Sequence, residues 1–80
     1  MYFVYFLKSI SFPDKMYVGY TSNVQVRLAE HNVENFFHTS KYKPWEIITS
    51  FGFKEQSKAL AFEKYLKSGS GRVFIKKHFL

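Results

Sequence analysis

The chain has 80 residues, no cysteine and a formal net charge of +6. A second hydrophobic core would need roughly 100 more residues, so we expect residues 1–80 to form a single domain. No apolar run approaches the ~20 residues that span a bilayer, and residues 1–5 lack the basic region of a secretory signal. The absence of cysteine excludes a disulfide scaffold and a cysteine zinc site, and we expect a cytoplasmic protein.

Aromatic residues make up 21% of the chain, as 10 Phe, 6 Tyr and 1 Trp. Each ring can bury ~150–250 Å², so rings are an efficient way for a short chain to offset its conformational entropy. We therefore expect most of them in the core, with a few tyrosines available for other roles.

The positive charge is concentrated in the C-terminal third. Residues 54–80 carry seven Lys or Arg against two Glu, a net charge of +5, whereas residues 1–53 carry five against four, a net charge of +1. Such a distribution favours a polyanion partner, most simply nucleic acid. On charge alone, a solvated helical face is an equal alternative.

The predicted elements follow the order β-β-α-β-α-α. Strands are predicted where β-branched and aromatic residues concentrate, and helices where apolar residues recur at three- and four-residue spacing. In chain order these are strands over 2–8 and 16–21, a helix over about 23–31, a polar loop over 32–43, a strand over 45–53, a helix over 54–67 and a short helix from 70 onward. Together they predict an α+β fold in which a three-stranded antiparallel sheet is flanked by helices.

Local signals predict where the helices begin and end. Ser22 and Gln25 match a capping box at the start of the first helix. Gly69, directly after Ser68, is expected to end the second helix in the left-handed conformation that glycine accepts. The last helix would then begin at Ser70.

Two features of the first half of the chain carry side chains suited to chemistry. Tyr5 and Tyr17 would lie opposite each other if the hairpin turn is centred near Ser11, which places two phenol hydroxyls on one face of the sheet. Arg27 and His31 lie at i and i+4, so both project from one face of the first helix. Taken alone, each feature is more simply explained as strand packing or a solvated surface.

A carboxylate interrupts the apolar side of the second long helix. Glu63 shares that side with Ala59 and Leu66, at i, i+4 and i+7 spacing. A charge on or near a buried face is costly unless a bound cation or an arginine balances it. The alternative is an i,i+4 ion pair with Lys67, worth only a few tenths of a kcal/mol.

In their order along the chain, these features resemble the GIY-YIG nuclease family. Residues 3–5 (Phe-Val-Tyr) stand where the family has Gly-Ile-Tyr, and residues 17–19 (Tyr-Val-Gly) stand for Tyr-Ile-Gly. Residues 23–32 look like the family's helix with its arginine, and residues 59–67 look like its metal-binding helix. The chain is most similar to small stand-alone members, and it is similar to the N-terminal nuclease of the bacterial excision-repair endonuclease.

The resemblance implies a metal-dependent endonuclease that hydrolyses phosphodiester bonds in DNA, in repair or recombination. It implies Tyr17 as the general base, directly or through a relay, and Tyr5 as the group that orients the water or the phosphate. Arg27 would neutralise charge on the phosphoryl oxygens, and His31 would be an extra phosphate or proton-transfer contact. Glu63 would hold one Mg²⁺, or another divalent cation such as Mn²⁺, beside the leaving 3′-oxygen. Because Mg²⁺ relies on waters and substrate phosphates besides carboxylates, we expect it to bind weakly without DNA.

The basic residues after Glu63 are the expected DNA contacts, and no membrane partner is expected. They are Lys64, Lys67, Arg72, Lys76 and Lys77. A homodimer or a partner protein would supply specificity. The alternative is a non-catalytic nucleic-acid-binding module with the same fold, and a weaker one is an adaptor that binds protein through exposed aromatic residues. Convergence of the two tyrosines, the arginine and the glutamate on one pocket would favour the enzyme.

The sequence departs from the family's pattern at three places. Phe3 replaces the first glycine, Tyr20 stands where the excision-repair relatives have a lysine, and no Asn follows Glu63. The replacement of that lysine by Tyr20 bears on how the general base, Tyr17, is activated. An ordinary tyrosine pKa of ~10 leaves about one phenolate per thousand molecules at pH 7, so the site must lower that pKa or use a relay.

Overall fold

A computed structural model describes residues 1–33 and 37–80, apart from the side chains of residues 37 and 38. The strands are β1 (Tyr2–Ser9), β2 (Met16–Thr21) and β3 (Trp45–Phe53), and the helices are α1 (Val24–His31), α2 (Phe37–Ser40), α3 (Gln56–Leu66) and α4 (Gly69–Phe79). The sheet order is β2-β1-β3, and both pairings are antiparallel. The predicted α+β class, with helices flanking a three-stranded antiparallel sheet, is confirmed.

The hairpin register differs from the prediction by two residues. Tyr5 pairs with Gly19, and Tyr17 pairs with Leu7. The connection between β1 and β2 contains an inner turn. This turn adds residues on the β2 side compared with a turn centred near Ser11. An even offset keeps every side chain on its predicted face, so the two tyrosines still share one face of the sheet.

Each face of the sheet has its own core. One face, with Val4 and Phe6 at its centre, packs against α3 and α4 through Ala59, Leu66 and Ile75, all at most 3% exposed. The other face is covered from the α1 side, where Val24 and Leu28 of α1 pack on the sheet. Its members are Tyr5, Leu7 and Trp45, with Tyr17, Val24, Leu28, Tyr42 and Ile47 around them.

The polar loop predicted over 32–43 contains the short helix α2, so that prediction is wrong in part. Residues 34–36 of the loop lie outside the described residues. Helix α2 is a single turn, and its Thr39 is buried beneath the sheet's α1 side. One turn of helix leaves too little apolar periodicity to distinguish it from a polar loop.

The N-cap of α1 is one residue later than predicted. Asn23, not Ser22, has the extended backbone of a cap, and its Oδ1 accepts a hydrogen bond from the N–H of Val26 at 3.1 Å. Thr21 Oγ1 accepts a hydrogen bond from the N–H of Asn23 at 3.1 Å, which tightens the turn after β2 and brings Asn23 into the capping position. The capping box with Gln25 is therefore not formed.

The predicted glycine stop after α3 is also wrong. Gly69 is the first residue of α4, and no described glycine has a positive φ. Ser68 instead caps α4, because its Oγ accepts a hydrogen bond from the N–H of Gly71 at 3.2 Å. Helix α4 therefore begins almost directly after α3 ends. A Cβ built on Gly71 would collide with the Tyr65 carbonyl and the Leu66 backbone, and glycine there allows the close crossing.

No helix in the ranges described above is long and apolar enough to cross a membrane.

Candidate active site

Tyr5 lies at the centre of the sheet and extends towards its β2 edge. The residue is 2% exposed. Its ring covers Gly19 on the outer strand β2, because a Cβ built at position 19 would collide with the Tyr5 hydroxyl and ring. Glycine at this register position therefore makes room for the phenol, which is why the Tyr-Val-Gly sequence places glycine opposite a tyrosine.

A buried chain of hydrogen bonds runs from Tyr5 through His31 to Thr39. The Tyr5 hydroxyl and His31 Nε2 are 2.9 Å apart, and His31 Nδ1 and Thr39 Oγ1 are 2.8 Å apart. His31 is 0% exposed and Thr39 is 6% exposed. A neutral imidazole has one donor and one acceptor, and hydroxyls serve as either, so the chain is satisfied with no charge on His31.

Burial favours the neutral forms of both Tyr5 and His31. It lowers the pKa of His31, the nearby Arg27 lowers that pKa further, and Glu30 opposes the change. Burial also raises the pKa of Tyr5, as do the charge and hydrogen bond of Tyr17, while Arg27 acts against the rise. At neutral pH the two hydrogen-bonded groups are therefore a phenol and an imidazole.

Tyr17 lies beside this pair but closer to solvent. Its ring centroid is 4.6 Å from that of His31 and 6.1 Å from that of Tyr5. Tyr17 is half-buried, whereas Tyr5 and His31 are buried. Of the three aromatic groups, Tyr17 is the one that a substrate at the β2 edge would reach first.

Arg27 and Glu63 carry opposite charges on helices that cover the two faces of the sheet. Arg27 pairs with Glu30 on α1 at 3.2 Å, with its side chain 38% exposed. Glu63 comes from α3, and its charge, like that of Arg27, acts on the Tyr5 hydroxyl. The structure thus brings Tyr5, Tyr17 and His31 into one cluster, and Arg27 and Glu63 act on it through their charges.

The ion pair with Lys67, the second alternative for Glu63, is present, and the carboxylate is also partly buried as predicted, whereas a bound cation remains a prediction. The Glu63 side chain is 21% exposed, on the side of α3 that buries Ala59 and Leu66, and it also pairs with Lys67 at 3.1 Å. Partial burial and a flexible cationic partner are compatible because the carboxylate lies at the boundary of the core.

The predicted DNA-contacting residues separate into two groups. Lys67 and Arg72 line an open groove of about 440 Å³ that also has Tyr17 in its wall. The remaining lining residues are Phe6, Asp14, Lys15, Met16, Val18, Leu66 and Ile75. Lys64, Lys76 and Lys77 are exposed on α3 and α4 outside this groove.

Sequence analysis missed the residues that hold His31 in place. Asn32 Oδ1 accepts a hydrogen bond from the Trp45 N–H at 2.6 Å, and Asn32 Nδ2 donates to the Trp45 carbonyl at 3.3 Å. The Trp45 indole N–H donates to the Thr39 carbonyl at 2.8 Å. These bonds tie the end of α1 and the single turn α2 to β3. They join residues distant in sequence, so no local motif identifies them.

The family model for the GIY-YIG catalytic domain matches residues 1–77. The chain belongs to the GIY-YIG family. This confirms the resemblance inferred from residues 3–5 and 17–19, and with it the fold expected for a GIY-YIG domain.

Three fungal proteins are similar to this GIY-YIG chain, each described as structure-specific endonuclease subunit SLX1. The Debaryomyces hansenii protein is 38% identical over 73 residues, which cover 82% of the chain and 21% of the relative. The Mycosarcoma maydis protein is 36% identical over 66 residues, covering 78% and 10%. The Malassezia globosa protein is 34% identical over 67 residues, covering 79% and 15%. The match spans about a fifth of these relatives or less.

Proposed function

We propose that residues 1–80 form a single GIY-YIG nuclease domain and that it is a metal-dependent endonuclease acting on DNA. The main support is the cluster of Tyr5, Tyr17 and His31, on which the charges of Arg27 and Glu63 act, together with the groove that has Tyr17 and cationic residues in its wall. A binding module would need the cationic groove. It would not need a buried phenol–imidazole pair beside a half-buried tyrosine and a partly buried carboxylate.

In the proposed reaction, a water oxygen bonds to phosphorus while the bond from phosphorus to the 3′-oxygen breaks. The leaving 3′-oxygen takes a proton from solvent, so the products are a 5′-phosphate and a 3′-hydroxyl. Tyr17 takes the proton of the attacking water and passes its own proton on, because an ordinary phenol is protonated at pH 7. Arg27 neutralises charge that develops on the phosphoryl oxygens.

The hydrogen-bonded groups behind Tyr17 supply the relay. The Tyr5 ring lies beside that of Tyr17, with centroids 6.1 Å apart, and the Tyr5 hydroxyl is 2.9 Å from His31 Nε2. A neutral His31 can accept a proton at Nε2 while its Nδ1–H donates to Thr39. Since His31 is 0% exposed, we assign it proton transfer rather than direct contact with phosphate.

The carboxylate of Glu63 is the proposed ligand for one Mg²⁺ or Mn²⁺. Mg²⁺ often binds through one or two carboxylates, with water and substrate phosphates completing its shell, and a partly exposed glutamate suits that role. The described residues contain no cluster of three or more His, Asp or Glu, which fits an ion recruited together with DNA. When bound, the metal would stabilise negative charge on the leaving oxygen.

We further propose that Lys67 and Arg72 contact phosphates near the reacting bond, and that Lys64, Lys76 and Lys77 contact phosphates further along. The three similar proteins are each named as a subunit of a structure-specific endonuclease. By analogy, this chain would act on DNA of a particular structure, with a partner protein, or a second copy, that supplies specificity. A role in DNA repair or recombination and a cytoplasmic location remain predictions.

The test is cleavage of plasmid, nicked and branched DNA by the wild type with and without Mg²⁺. Tyr17→Phe, Arg27→Ala and Glu63→Gln should each lower the rate, by about 10²–10⁴-fold for the general base. Tyr65→Phe and Glu46→Gln are the matched controls, because each makes the same chemical change at an exposed residue outside the site. A wild type that cuts none of these substrates would refute the enzyme. Salt-sensitive DNA binding that is indifferent to the three site variants would then support the binding module.

A further inference from the structure

The loop between β1 and β2 presents an exposed aromatic ring beside the proposed active site. Phe12 is 45% exposed and packs edge-to-face on Tyr42, with ring centroids 5.4 Å apart. We propose that Phe12 is a stacking platform for an unpaired base of the DNA strand that leaves the site. This inference rests on the proposed function and names the substrate feature that the domain would recognise.

Phe12 is held rigidly although it is exposed. Its N–H donates to Ser9 Oγ at 3.0 Å, and its carbonyl accepts from the Lys15 N–H at 2.8 Å. Ser9 is 1% exposed, and its Oγ donates to the Tyr42 carbonyl at 2.6 Å. The Ile10 N–H also donates to the Pro44 carbonyl at 2.9 Å. A ring fixed in this way loses little conformational entropy when a base stacks on it.

Two cations flank the aromatic pair. Lys15 Nζ is 5.3 Å and Lys41 Nζ is 5.2 Å from the centroid of Tyr42, and both lysines are otherwise exposed. Aromatic rings interleaved with Lys are the surface that binds single-stranded nucleic acid, because the rings stack on bases while the ammonium groups contact phosphates. An apolar protein partner would leave the two lysines without a counter-charge.

The platform is continuous with the groove at the proposed active site. Lys15 lines the groove together with Tyr17, Lys67 and Arg72, and it also stands over the Tyr42 ring. Asp14 lies in the same wall, so the path is cationic on balance rather than throughout. A strand bound along it would pass from Tyr17 to Phe12. Paired bases stack on each other within a duplex, so only an unpaired base can use the ring.

The experiment measures binding without cleavage, using the 80-residue chain in EDTA. The probes are a blunt duplex and the same duplex with a single-stranded arm carrying 2-aminopurine, whose fluorescence falls when the base stacks. We expect wild type to quench one unpaired position of the arm. Phe12→Ala should abolish the quench and weaken binding to the armed duplex by about 5- to 150-fold. Its affinity for the blunt duplex should not change.

Two further variants separate stacking from loop stability. Phe12→Trp should retain the quench, and Ile10→Ala, at an exposed apolar site of the same loop, should leave both affinities unchanged. Equal weakening on both probes, or a quench that survives Phe12→Ala, would overturn the inference. A wild type that quenches the arm but cuts no DNA would refute the proposed enzyme and leave the platform standing. A wild type that cuts DNA but does not quench the arm would refute the platform and leave the proposed enzyme standing.

Discussion

Replacing Gly19 with alanine tests whether the Tyr5 ring is fixed over β2. The added Cβ would lie 2.8 Å from Tyr5 Cε1 and closer still to Cζ and the hydroxyl oxygen. Carbon atoms in contact are separated by about 3.5–4.0 Å, so the ring must move by roughly 1 Å or more. A movement of that size stretches the 2.9 Å contact with His31 beyond hydrogen-bonding distance.

Two costs make up the expected loss of stability. Overpacking a filled core costs about 1–3 kcal/mol, and the lost hydrogen bond adds about 0.5–1.5 kcal/mol. We therefore expect Gly19→Ala to lower the free energy of unfolding by about 1.5–4.5 kcal/mol. A domain of this size has roughly 4–12 kcal/mol in total, so a chain in the middle of that range should still fold after the substitution.

Gly52→Ala is the matched control, because it places the same methyl group in another strand. There the Cβ would approach Met1 Sδ at 2.7 Å and Phe3 Cε1 at 3.2 Å, but Met1 is 67% exposed and can move away, and the Phe3 ring need shift by only a few tenths of an ångström. Its stability should change by no more than about 0.5 kcal/mol. Urea unfolding gives both values, and cleavage assays should show at least a roughly 10²-fold loss for Gly19→Ala alone. Equal unfolding midpoints for the two variants would refute the placement of the Tyr5 ring.

Three other outcomes follow from the contacts. The pKa of His31 is lower in the folded than in the unfolded chain, so the unfolded chain gains the proton first and stability falls as the pH drops below about 6.5. Urea unfolding across pH should show this fall in wild type and less of it in His31→Gln. Asn32→Ala should cost about 1–3 kcal/mol in the same assay, because both bonds to the Trp45 backbone are lost; no change would contradict that role. Lys76→Gln and Lys77→Gln should each reduce the slope of log K against log salt by about 1 in DNA titrations, and an unchanged slope would remove that residue from the interface.

Periodicity and alternation were sufficient to predict the elements that form the framework of the site. The strand over 45–53 and the strand over 16–21 have the predicted bounds, and β1 extends one residue further. The face shared by Tyr5 and Tyr17 was also predictable, because only an odd error in register would separate them. A residue's face depends on parity, which the sequence pattern specifies well.

The errors concern features that depend on a few backbone hydrogen bonds. Ser22 and Asn23 are both good N-caps, and the choice between them is made by the turn that Thr21 stabilises. Gly69 follows a helix, as a left-handed stop would, but the Ser68 cap and the tight crossing at Gly71 start the next helix instead. Thr39 could not be predicted as the partner of His31, because only the fold brings α2 against α1.

The contacts in the proposed site differ in strength: the buried hydrogen bonds are strong, and the partly exposed ion pairs around them are weak. Breaking the buried chain from Tyr5 through His31 would leave polar groups without partners, which is costly, so these groups stay in position through a reaction. Arg27 and Glu63, in contrast, are held by partly exposed pairs to Glu30 and Lys67, of a kind worth no more than about 1 kcal/mol. A phosphate could replace Glu30 at little cost, and a divalent cation could replace Lys67. The released Lys67 would then remain in the groove that it already lines, where a second phosphate could accept its charge.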